Sequence, residues 1–158
     1  MTQAGERDKV IGAGFGGHLP LARRLLAHEA GGQQGSREVV ESAENVCQKL
    51  RQHLGRLVGP AGFESLLARA LYLSERQFPF LGGVTPDQQS KDCLKGVRES
   101  VQGLGPAEVV DGLATLIAGF LWLLGQFIGD DMALRQVARL WPEVPVRDLG
   151  SGPKETGV

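Results

Sequence analysis

Residues that carry chemistry are scarce in this chain. Two cysteines, three histidines and one tyrosine among 158 residues leave few ways to assemble a redox, metal or nucleophilic centre. Cys47 and Cys93 lack CxxC spacing and stand in helical patterns among apolar neighbours, so they read as two reduced core thiols. His18, His28 and His53 fall in different segments. HExxH and paired acidic metal motifs are missing, and the central helix offers only Asp111 to a diiron site, so no metal or cofactor is expected. No serine or cysteine can be joined to a histidine and an acid by spacing, and no catalytic residue is assigned. An enzyme would require distant polar residues such as His53, Glu64, Arg69, Tyr72 and Asp111 to converge.

An excess of either charge is also missing. With 17 basic and 18 acidic residues the net charge is -1, which gives no electrostatic reason to expect a nucleic-acid or anionic-membrane partner. Aromatics are 6% of the chain and are not interleaved with basic residues, so a stacking platform for bases is not expected either. The opening MTQAGERDK has neither the basic start nor the apolar run of a signal peptide, and the cytoplasm is the expected location.

Glycine, by contrast, is abundant. Its 23 copies are about twice the average share. They cluster at Gly12 to Gly17, at Gly31 to Gly35 and where helical patterns meet. Gly12, Gly14 and Gly17 satisfy G-x-G-x-x-G, the spacing that lets a backbone approach pyrophosphate at a helix N-terminus. The context opposes a nucleotide site: only Val10 and Ile11 precede it as a strand, Pro20 sits early in the following helix, and no further parallel strands follow. Residues 1–35 are therefore expected to be a flexible glycine-rich arm with a short helix over 20–28. That helix is left open to dock on the bundle, bind another protein or stay unfolded.

The longest apolar run organises the remainder. Ala107 to Ile128 predicts one helix, with Pro106 in its first turn and Gly129 just beyond its last apolar residue. Val109, Leu113, Leu116, Phe120, Leu123, Leu124 and Phe127 make a bulky face. Asp111, Thr115, Ala118, Gly119, Trp122 and Gln126 lie opposite, so the two faces differ mainly in side-chain size. Gly112 to Gly129 holds eighteen uncharged residues, marginal for a bilayer that needs about twenty. The acidic flanks Glu108, Asp111, Asp130 and Asp131 and four diluting glycines favour a core helix over a membrane span.

Around it the periodicity predicts amphipathic helices from Ser36 to about Leu57, from Ala61 to Gln77, from a Thr85 cap to about Gln102, and from an Asp130 cap over Asp131 to Leu140, stopped by Pro142. The join at residues 58–62 is short enough to make its two helices antiparallel neighbours. Arg69, Tyr72 and Arg76 mark an outward side of the second helix, while Arg135 and Arg139 are exposed on the last. The expected architecture is an all-α bundle of four to five helices over residues 36–142, with an extended or disordered tail over 143–158. The functional expectation is a non-enzymatic protein-interaction or regulatory domain that pairs with a partner protein or itself as a homodimer. The small face of the central helix supplies the contact, with Trp141, Arg69, Tyr72 and Arg76 as further candidates. The alternative is a bundle sensing a small apolar ligand in a pocket beside Trp122.

Overall fold

The computed structural model describes residues 16–33, 35–87 and 93–146. The chain is an all-α bundle built from α1 (Leu19–Ala30), α2 (Ser36–Ser74), α3 (Val97–Ser100), α4 (Pro106–Ile128) and α5 (Asp130–Leu140). A 3-10 turn at Pro79–Gly83 and a two-residue antiparallel ladder, β1 (Thr85–Pro86) with β2 (Leu94–Lys95), connect α2 to α3.

Helix α4 is the axis of the bundle, and α1, α2 and α5 all pack against it. Its composition dictates that position: a helix apolar almost all round gains stability only when enclosed on every side. From Gly112 through Leu121 every residue is buried. The 18-residue apolar window in α4 has mean hydropathy 1.7, high and long enough to cross a bilayer, yet 72% of it lies inside the fold. Pro106 begins the helix where a missing N–H costs nothing. Gly129, at φ 97°, ends it and turns the chain directly into α5. Asp130 is therefore the first residue of α5, and Gly129 occupies the cap position assigned to Asp130 from the sequence. Asp130 and Asp131 instead place two carboxylates in the first turn, where the helix dipole favours them.

Helix α2 is two arms, 36–58 and 60–74, joined at one residue. Gly59 adopts φ 79° and ψ 158°, a region open essentially to glycine alone, and Pro60 supplies no N–H to continue the ladder. Leu50 of the first arm and Phe63 and Leu67 of the second line one small apolar crevice against Phe120, so the arms fold back on each other. The Phe63 and Phe120 rings meet at 5.1 Å between centroids. A Cβ at Gly59 would touch nothing, so Gly59→Ala isolates backbone strain. It is expected to cost about 1–3 kcal/mol in urea unfolding, with the α4 core unchanged.

The packed core also reaches beyond the limits drawn from composition. Leu21, Ala22, Leu25 and Leu26 of α1 are buried, which is the docked state among the three left open by the sequence, and they extend the core ahead of Ser36. Left-handed Gly31 closes α1 by giving its N–H to the Ala27 carbonyl at 3.1 Å. At the other end Val144 is buried, and Arg24 of α1 donates to the Pro145 carbonyl at 2.9 Å.

One predicted helix does not form. Thr85 and Pro86 pair with Lys95 and Leu94 in the short ladder rather than starting a helix to Gln102, and among the described residues of this stretch only Val97–Ser100 are helical. Gly96, at φ 88°, interrupts the helical path and caps α3. Cys93, just before the ladder, and Leu94, within it, are both buried. The ion pair from Arg98 to Glu44, at 2.8 Å, ties α3 to the first arm of α2.

Candidate functional site

Two helical stripes with the same spacing face one another between α2 and α5. Lys49, Gln52, His53, Arg56 and Leu57 recur at three- and four-residue steps near the end of the first arm. Met132, Arg135, Gln136, Arg139 and Leu140 repeat that spacing along α5. Residues so spaced project from one side of a helix. Together they border an open groove of about 590 Å³. Four formal cations and one histidine line it, and among the described residues no carboxylate does.

Among the described residues, Lys49 is the one cation of the groove with a carboxylate partner. Its ammonium lies 2.5 Å from Glu29 Oε2, the same oxygen that accepts a hydrogen bond from Trp141 Nε1 at 2.8 Å. Burial raises the Glu29 pKa, but the hydrogen bonds from Lys49 and Trp141 outweigh it and hold the carboxyl below its ordinary range. Arg56, Arg135 and Arg139 have no carboxylate partner among the described residues. Three unanswered guanidinium groups on one groove create a local positive field in a chain of nearly neutral total charge.

The groove has an apolar component as well. Leu57 is 52% exposed and Met132 40%, two of the few large apolar side chains left in water. Between them His53 Nε2 donates to Gln136 Oε1 at 2.7 Å, and Gln136 Nε2 donates to Met132 Sδ at 3.2 Å. Gln136 is buried, so this chain of contacts links the two helices and orients Met132. A planar guanidinium pairs bidentately with a carboxylate, whereas exposed Leu and Met take up the apolar side of an approaching segment.

A second, mainly apolar groove of about 640 Å³ lies among α1, the start of α2 and the start of α4. Leu26, Val39, Ala107 and Val110 are among its walls, and the Arg23–Asp111 ion pair, 2.9 Å long, stands on its rim. Both partners are about half exposed, so the pair contributes little to stability.

The residues singled out from the sequence do not form one site. Thr115, Ala118 and Gly119 are buried inside the bundle, Trp122 is half-buried against the core, and Gln126 is exposed. Asp111 belongs to the apolar groove. Trp141 is fully buried and donates to Glu29 Oε2 at 2.8 Å. Neither of these two grooves has Trp122 or Phe127 among its lining residues, and Phe127 projects into solvent. Tyr72 and Arg76 come together, the guanidinium 5.9 Å from the ring centroid, while Arg69 is exposed on the same arm. His53, Asp111 and Tyr72 thus have separate partners, Gln136, Arg23 and Arg76. Among the described residues no group of three His, Cys, Asp or Glu side chains is close enough to hold a metal ion. Of the G-x-G-x-x-G glycines, Gly12 and Gly14 lie outside the described residues, and Gly17 is exposed in a turn before α1.

The cationic groove was not singled out because its halves are far apart in sequence and each looks like an ordinary wet helix face. The available signal was the repeated spacing of Arg135 and Arg139 with Met132 and Leu140. Comparison of the chain with protein-family models, with curated proteins and with solved structures returns no match.

Proposed function

We propose that the chain is a non-enzymatic helical interaction domain that docks an acidic amphipathic segment of a partner protein between α2 and α5. The observation that carries this reading is the convergence of Arg56, Arg135 and Arg139, without carboxylate partners among the described residues, on a groove that also exposes Leu57 and Met132. An amphipathic helix seats its apolar face between two host helices and offers flanking carboxylates to the rim, which is the mode these side chains suit. Nucleic acid is the less favoured occupant, because among the described residues no Phe, Tyr or Trp lines the groove as a platform for bases. A homodimer built on the small face of α4 is disfavoured as well: Thr115, Ala118 and Gly119 are already covered within the chain. The partner proposed is therefore a second protein.

Fluorescence anisotropy with a labelled synthetic helix, leucines on one face and glutamates beside them, tests the reading. The wild-type chain is expected to bind, more weakly as salt is added, because exposed charges are screened. Joint Arg135→Glu and Arg139→Glu substitution is expected to weaken binding by about tenfold or more, and Arg69→Glu, outside the groove, to leave it within about twofold. A peptide that binds the double variant as tightly as the wild type would falsify the proposal. So would displacement of the peptide by a single-stranded oligonucleotide at lower concentration than by unlabelled peptide.

A further inference from the structure

Helix α1 supplies one cation of the groove with a carboxylate of the chain's own. Glu29, in the last turn of α1, has a side chain only 9% exposed, and its Oε2 accepts hydrogen bonds from Lys49 Nζ at 2.5 Å and from Trp141 Nε1 at 2.8 Å. Lys49 borders the cationic groove with its side chain 46% exposed, so a segment lying there reaches the ammonium but not the carboxylate behind it. We propose that Glu29 is an intramolecular placeholder for a carboxylate of the docked acidic segment: the segment takes Lys49 from it, and the last turn of α1 lets go of the bundle as the segment binds. Such regulation rests on the docking of an acidic segment in the groove and adds to it a cost borne by α1.

Burial is what makes the exchange felt beyond Lys49. Once Lys49 turns to the segment, Glu29 keeps only the Trp141 indole as a donor, in a place almost closed to water. A carboxylate left there is costly, and it regains solvent only if the turn that carries it moves outward. The backbone permits that movement. Gly31 and Gly32, at φ 63° and 90°, follow the helix directly, and a Cβ at either would touch nothing, so no packing wedges the pivot. His28 and Glu143 stand 3.5 Å apart on the surface, a contact that holds the turn weakly. Earlier turns stay docked through buried Leu21, Ala22, Leu25 and Leu26.

The coupling is reciprocal, because two binding events that share Lys49 must oppose each other by equal factors. Glu29→Gln keeps an oxygen for the Trp141 N–H, buries no charge and leaves Lys49 to the groove as a fourth cation without a carboxylate partner among the described residues. It therefore strengthens docking. Lys49→Met does the reverse to α1: it strands the Glu29 charge and loosens the turn in the absence of any segment.

Hydrogen exchange at the end of α1, and anisotropy with the labelled leucine–glutamate helix, test this on the full chain. The Gly31 amide donates to the Ala27 and His28 carbonyls and the Gln33 amide to Ala30, so these two amides report the last turn. Without peptide, Lys49→Met is expected to speed their exchange about tenfold while α4 amides keep the wild-type rate. With saturating peptide they are expected to speed up in the wild type and not in Glu29→Gln. Glu29→Gln is expected to bind the peptide about threefold more tightly, with a steeper loss in salt, and adding Lys49→Met to it to cancel the gain. Equal affinity of the wild type and Glu29→Gln, both folded by circular dichroism, overturns the placeholder. Unchanged Gly31 and Gln33 exchange in Lys49→Met, or in the peptide-saturated wild type, overturns the release of α1. Peptide bound by neither the wild type nor Glu29→Gln overturns the docking of an acidic segment itself, and this regulation with it.

Discussion

Trp141→Ala is expected to lower the unfolding free energy by about 3–5 kcal/mol, the range for removing a fully buried large aromatic side chain. Trp141 is 1% exposed and sits immediately after α5, where the chain turns back over α1. Two losses combine. The vacated volume forfeits contacts that the helices cannot fully remake, and Glu29 loses one of the two hydrogen bonds that keep its carboxylate charged in a mostly buried position. Trp141→Phe retains much of the ring and separates the second loss from the first; it is expected to cost roughly 1–3 kcal/mol. The sign of its pH dependence follows from Glu29. A carboxyl whose folded pKa is depressed adds stability above its unfolded value, near the ordinary 4.5, and loses it as pH falls through the lower folded value. Trp141→Phe removes one cause of the depression, so the gap between variant and wild type is largest near neutral pH and narrows below about 4.5. Urea unfolding followed at several pH values checks both parts. A gap that stays constant from neutral to strongly acidic pH would show that the Trp141–Glu29 bond adds nothing through the charge.

The bundle was legible wherever burial follows a helical period. Val109, Leu113, Leu116 and Phe120 recur at three- and four-residue steps, Pro106 and Gly129 bound them, and the helix runs between those two markers. Its small face was also recognised, but what covers that face is a tertiary matter. Thr115, Ala118 and Gly119 are enclosed by the chain itself, so small residues there serve close internal packing. Helix α1 illustrates the converse. Leu21, Leu25 and Leu26 were visible as a stripe, yet so short a stripe carries no sign of whether a groove exists to receive it.

The segment from Thr85 to Gln102 misled for a physical reason. Cys93, Leu94, Val97 and Val101 satisfy a helical stripe, and Thr85-Pro86-Asp87 has the composition of a helix start. Local signals of that kind are weak, and in the fold Thr85 and Pro86 pair with Lys95 and Leu94 instead, with Cys93 and Leu94 both buried. The cationic groove was hidden for another reason. A helix face carrying Arg135 and Arg139 is ordinary by itself, and Arg56 is an unremarkable end-of-helix residue. Their significance lies in facing one another with no carboxylate between them, which depends on how α5 is set against α2.

Gly96 is where that ladder and α3 are most exposed to a single change, and Gly96→Ala is expected to cost about 2–5 kcal/mol. Two penalties add. At φ 88° and ψ −2° the backbone holds a left-handed conformation that a side chain makes costly. In addition, a Cβ at this position would lie 2.5 Å from the Gly83 carbonyl oxygen, a backbone atom that cannot rotate away. Relief would require moving the 3-10 turn away from Gly96, just where the chain enters β1 and α3. Gly103 provides the comparison, because it has nearly the same φ, 83°, but nothing within reach of a Cβ. Gly103→Ala is therefore expected to show the conformational penalty alone, about 1–2 kcal/mol, and the difference between the two variants measures the close approach. The excess should appear in hydrogen exchange first, as faster exchange at the Asp87 and Ser100 amides, which donate to the Cys93 and Gly96 carbonyls. Equal destabilisation of the two variants would mean that Gly83 and Gly96 are not packed backbone to backbone, and that the ladder is anchored to α2 through Cys93, Leu94 and Val97 alone.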